Sequence, residues 1–109
     1  MGHDIFGFNK AGNEIAYARF NMSNYNATIL YIVLDADKYY AGVSGSGDSS
    51  TFSIQQMEKA LNTYNKLYDN VDSMAESDVF TWDHKQIREF LKSCLATAEK
   101  EGSVRVYFG

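Results

Sequence analysis

The sequence has one cysteine, Cys94, and no proline. A lone thiol cannot close an internal disulfide and cannot by itself build a structural zinc site. Without proline, turns must come from Gly, Asn, Asp and Ser. Long apolar runs are lacking as well. The longest, residues 27–34, is interrupted by Thr28 and followed by Asp35. A membrane span needs roughly 18–20 such residues. No basic stretch leads into an apolar one near Met1, so no signal peptide is expected and the reducing cytoplasm is the expected compartment. Positive charge is also scarce. Ten Lys+Arg stand against fourteen Asp+Glu, net −4, with no basic cluster. That excludes bulk electrostatic binding of nucleic acid, which needs a basic face. The acids are dispersed and read as a solubility feature.

What is present fits one globular domain over residues 1–109, with 45% apolar residues. Eight tyrosines are many for this length. Tyrosine joins apolar area to a hydroxyl, and it is enriched at interfaces and at core edges.

Residues 4–20 read as a β-hairpin. Asp4-Ile5-Phe6-Gly7-Phe8 alternates loosely and is rich in aromatics, and residues 14–20 form the returning strand. Gly12 supplies positive φ in the turn. Residues 27–34 fit either a buried strand or a helix. The cap-rich entry over residues 21–26 favours the helix. Residues 37–51, with Gly42, Gly45, Gly47 and four serines, read as a flexible loop.

Two helices follow, with matching start signals. Ser53 at the N-cap and Gln56 at N3 make a capping box, with Phe52 and Met57 as its hydrophobic staple. Asp83, Gln86, Trp82 and Ile87 repeat the pattern. The first helix is expected to bury Ile54, Met57, Ala60, Leu61, Tyr64, Leu67 and Tyr68. The second is expected to bury Ile87, Phe90, Leu91, Cys94, Leu95 and Ala98. Gly102 ends it, and residues 103–108 alternate as a final strand. The expected fold class is α+β: a small, three-stranded, mostly antiparallel sheet, made from the N-terminal hairpin and the C-terminal strand, with about three helices packed on one face.

Candidate sites are few. Gly42, Ser44, Gly45, Ser46, Gly47, Ser49 and Ser50 precede a helix start, where free N–H groups and the helix dipole suit an anion. Neither the P-loop nor the dinucleotide-binding spacing is present. The alternative is a linker, in which Gly45→Ala would be mild. Alternation along the second and last strands turns Tyr17, Arg19, Arg105 and Tyr107 toward the face away from the helices. These are favoured interface residues, and arginine pairs with carboxylate or phosphate. His3 and His84 are the only general-base candidates of their type. His84 is expected to be exposed at the first helical position, and Cys94 to be a buried hydrophobe. No nucleophile elbow and no metal-ligand spacing is visible. The expectation is a non-enzymatic binding or accessory protein, of the kind found by analogy among small bacterial or phage proteins. It would need no cofactor or metal, and would bind a small anionic molecule or a partner protein. One alternative is a homodimer built on the outer sheet face. The other is a small enzyme using His3 or His84 with a nearby carboxylate.

Overall fold

The computed structural model describes residues 2–21, 27–41, 45–67 and 78–109, leaving aside the side chains of residues 2, 3, 21, 27 and 78–83. The order of elements is β1 (Gly2–Phe8), β2 (Glu14–Asn21), α1 (Ala27–Val33), a 3-10 turn (Asp37–Tyr39), β3 (Asp48–Ser53), α2 (Ile54–Leu67), α3 (Asp78–Glu101) and β4 (Ser103–Phe108). The class is α+β, with an antiparallel sheet and three helices. The sheet has four strands in the order β2-β1-β4-β3, one more than the sequence suggested.

The extra strand is β3, within the stretch expected to be loop. Asp48-Ser49-Ser50-Thr51-Phe52-Ser53 has little intrinsic strand preference. It is an edge strand with mainly solvated side chains, so no apolar alternation announces it. Its pairing with β4 from Asp48↔Phe108 to Ser53↔Ser103 supplies the structure that composition withholds.

The β1–β2 hairpin turns on Asn9. Gly12 N donates to the Asn9 carbonyl at 3.0 Å, and Asn13 N donates to the Asn9 side-chain oxygen at 2.9 Å. Gly12 adopts φ 84°, which an L side chain resists. Between Gly7↔Ala16 and Phe8↔Glu14 the register slips. Ile15 is the extra residue, and it packs against the core.

Residues 27–33 are helical, as their capping context suggested. The helix ends in a Schellman motif. Ala36 N donates to Tyr31 O at 2.8 Å and Asp35 N to Ile32 O at 3.1 Å, with Asp35 at φ 55°. The capping box at α2 forms in both directions. Ser53 N donates to Gln56 Oε1 at 2.7 Å, and Gln56 N to Ser53 Oγ at 3.2 Å. Its staple residues Phe52 and Met57 are both buried. Gly102, at φ 90°, closes α3, and its N–H donates to Ala98 O at 2.7 Å.

The second expected box is a correction. Helix α3 begins at Asp78, so Asp83 is inside it and is no cap. Gln86 has a different task. Its Oε1 accepts from Arg19 N at 2.8 Å, and its Nε2 donates to Arg19 O at 3.0 Å. The amide thus stands in for a neighbouring strand along the outer edge of β2, which blunts that edge against pairing.

Helix α3 lies across the inner face of the sheet, against β2, β4 and β1, and α2 packs beside α3. The inner layer is Ile5, Ala16, Ala18, Phe20, Phe52, Val104, Val106 and Phe108, all buried. Facing it are Met57, Ala60 and Tyr64 from α2, and Ile87, Phe90, Leu91, Cys94 and Ala98 from α3. Ile54, Leu61 and Leu95 are only half-buried. Leu67, expected inside, is exposed at the last turn of α2, and Tyr68 lies outside the described residues. Among the described residues, no helix is long and apolar enough to cross a membrane.

Candidate functional site

Among the described residues, one broad face of the sheet carries no helix. Strand register sorts its side chains into rows. The middle row runs Tyr17, Phe6, Tyr107, Ser49 across β2, β1, β4 and β3. On one side of it is the row Glu14, Phe8, Arg105, Thr51. On the other, Arg19 pairs with Asp4. All four residues singled out as outward, Tyr17, Arg19, Arg105 and Tyr107, are therefore on this face.

Phe6 is its centre. Its ring lies 4.8 Å from that of Tyr17, 6.1 Å from Tyr107 and 6.1 Å from Phe8. The Arg105 guanidinium carbon stands 5.0 Å from the centre of the Phe8 ring, a cation–π contact. At the opposite corner, the Tyr17 hydroxyl donates to Asp4 Oδ1 at 2.7 Å, and Arg19 Nε lies 3.6 Å from the same oxygen. That hydrogen bond is the first cause of a raised Tyr17 pKa, with desolvation and the carboxylates of Asp4 and Glu14 adding to it and Arg19 opposing. Tyr17 remains 42% exposed.

Phe6 and Phe8 belong to this face but were not anticipated. The signal was present, because Ile5 and Gly7 alternate with them and point inward. A Cβ on Gly7 would sit 2.8 Å from Cys94 Sγ and 3.2 Å from Ala16 Cβ. Helix α3 approaches β1 too closely there for any side chain, so the large residues of β1 stand on the far side.

Beside Phe8 the face dips into a depression of about 300 Å³, lined by Phe8, Lys10, Gly12, Thr51, Ser103 and Arg105 among others. Glu101 stands at its margin, where its Oε1 accepts from the Lys10 backbone N–H at 2.8 Å.

The glycine-serine segment is arranged otherwise than expected. Ser49 and Ser50 belong to β3, and Gly42 and Ser44 lie outside the described residues. The remaining N–H groups, from Gly45, Ser46 and Gly47, donate to Gly109 O, Tyr39 O and Phe108 O, each at 2.8 Å. The strand β3 also separates them from the start of α2. No run of free donors faces a ligand at these three residues. Gly45 is buried, and a Cβ there would come within 2.6 Å of the Phe108 carbonyl. It anchors the segment to the end of β4 and is no linker position.

His84 is a second correction. It is 1% exposed, not surface-lying. Because α3 starts earlier, His84 extends the buried stripe of Ile87, Leu91, Cys94 and Ala98 by one turn. The Tyr64 hydroxyl lies 2.8 Å from His84 Nδ1 and donates to the His84 carbonyl at 3.1 Å. The ring thus sits in the helix layer beside Tyr64 and away from the surface. The side chains of His3, Trp82 and Phe80 lie outside the described residues. Cys94 is fully buried, and burial pushes its thiol up to about 12. Among the described residues, no three His, Cys, Asp or Glu side chains gather as metal ligands would.

No family model, no curated protein and no solved structure matches this chain.

Proposed function

We propose that this is a non-enzymatic binding protein whose outer sheet face docks a protein partner. The observation that supports this reading is the inversion of β1. Its two phenylalanines stand on the side without helices, beside Tyr17 and Tyr107, while a glycine occupies the core side. A sheet face of an antiparallel sheet can remain solvated, but such faces are ordinarily polar. Four aromatic rings ringed by Asp4, Arg19, Glu14 and Arg105 match the plan of an interface, with an apolar centre and a charged rim.

The test is a photo-crosslinking amino acid placed at Tyr17 or Tyr107, with a control at Glu99 on the exposed side of α3. Discrete protein adducts from the sheet positions and none from the control are expected. Equal labelling from both faces, or no adduct from either sheet position, would remove the reading.

A second reading rests on the depression beside Phe8. Arg105 and Lys10, with the hydroxyls of Thr51 and Ser103, offer a small anion both charge and hydrogen-bond donors. A thermal shift with inorganic phosphate or nucleotides that is lost in Arg105→Ala supports it. No shift with any of them removes it.

A further inference from the structure

We infer that the occupant of this face is a second copy of the chain, packed sheet against sheet about a twofold axis along the Tyr17–Phe6–Tyr107 row. The inference rests on the docking role proposed for the face, and it names the partner. A twofold operation about that row returns each of its aromatics to its own counterpart. It also exchanges the flanking rows. Asp4 and Arg19 of one copy come over Phe8 and Glu14 of the other, because along β1 each flanking row is two residues from the axis and on β2 the extra residue Ile15 brings Glu14 into register with Phe8.

The charges then meet in opposite pairs. Arg19 faces Glu14 of the second copy. Asp4 faces Phe8 of the second copy, whose neighbour across β1–β4 is Arg105, about 4.8 Å to the side. Symmetry makes each pair twice. Stacked sheets pack with strands rotated by about 30°. At about 7 Å from the axis, that rotation displaces the outer rows by about 3 Å, which arginine can span. Lys10 stands outside these rows, in the hairpin turn.

Two further features favour a copy of the same chain. The chain carries −4 overall, yet the four charged residues of these rows sum to zero, with two acids and two arginines in mirrored order. A surface adapted to a basic or acidic partner would carry an excess of one sign. A self-complementary patch is what an isologous contact requires. In addition, Gln86 occupies the β2 edge at Arg19, so the face, and not that edge, is the open route to association on this side of the sheet.

The test is the mass in solution by light scattering and sedimentation, from low micromolar into the millimolar range, at low salt. The wild type is expected to reach twice the chain mass as concentration rises. Arg19→Glu and Glu14→Arg should each weaken the dimer by about tenfold or more, by opposing like charges. The double variant Arg19→Glu/Glu14→Arg should recover it. Circular dichroism will show that all three variants keep the fold, since both positions are exposed. A wild type that stays monomeric throughout overturns the inference, as does a double variant no better than either single one. A monomer whose Tyr17 still crosslinks to a different protein overturns the second copy and leaves the docking role standing. A monomer without adducts removes both.

Discussion

The inner and outer faces of β1 assign size in opposite ways. Inward, the strand offers Ile5 and Gly7, opposite Ala18 and Ala16 of β2. Outward, it offers Phe6 and Phe8, joined by Tyr17 and Tyr107. The small inner residues are matched by what lies over them. Cys94 reaches so near Gly7 that not even a methyl group fits. Around Gly7 the core volume therefore comes from α3, with Ile87, Phe90 and Leu91, while Ile5, Val106 and Phe108 fill the rest of the sheet's inner side. On the outer face none of the described elements supplies a second layer, and the sheet carries the aromatic area itself. A strand's apolar side is thus not always its core side. The spacing to the neighbouring layer decides which residue sizes fit.

Alkali should separate the faces most severely. Burial raises both the Cys94 thiol and the Tyr31 hydroxyl to about 12, from ordinary values of 9.0 and 10.0. Native protein keeps these protons where the unfolded chain loses them. Stability should be complete below pH 9 and should fall from there toward pH 12. Denaturant midpoints across that range check this. Absorbance at the tyrosinate band should show Tyr31 ionising only as the fold is lost.

Leu91→Ala, in the inner layer, should cost about 2–5 kcal/mol. Leu61→Ala, at a half-buried site, should cost clearly less. Urea titration of both variants sets the scale of the core. Gly7→Ala is the sharper probe of the contrast. Its methyl group meets Cys94 Sγ, so the change should destabilise by about 1–3 kcal/mol, and by less in a Cys94→Ala background. Phe6→Ser, one residue away on the other face, should cost only about 1 kcal/mol of monomer stability, measured at dilutions where chains do not associate.

Much of this arrangement can be read in the sequence where the signal is local. The Ser53–Gln56 box, the closing glycine Gly102 and the stripe along α3 each follow from spacing. The outward set Tyr17, Arg19, Arg105 and Tyr107 follows from alternation along β2 and β4. What escaped depends on distant partners. β3 is a strand because β4 lies beside it, not because Asp and Ser favour strands. Gln86 matches a capping position by spacing, but its amide serves Arg19 across the molecule. His84 was misplaced for the same reason, since a false helix start moved it from the stripe to the surface. Phe6 and Phe8 were legible in principle, once Gly7 is seen as the inward residue of its strand.

The two middle strands of the sheet, β1 and β4, come from opposite ends of the folded segment. Gly109 N donates to Asp4 O at 2.9 Å, although more than a hundred residues separate them. Until residues 103–108 arrive, β1 and β2 are an isolated hairpin, which is marginal in water, and β3 has no strand to lie against. Closing so long a loop is the slow, entropically costly part of folding. During synthesis the sheet must therefore wait for its last strand. In that interval the outward aromatics and the inner apolar layer of the hairpin are exposed together, which makes the growing chain, more than the finished protein, the form most prone to aggregation.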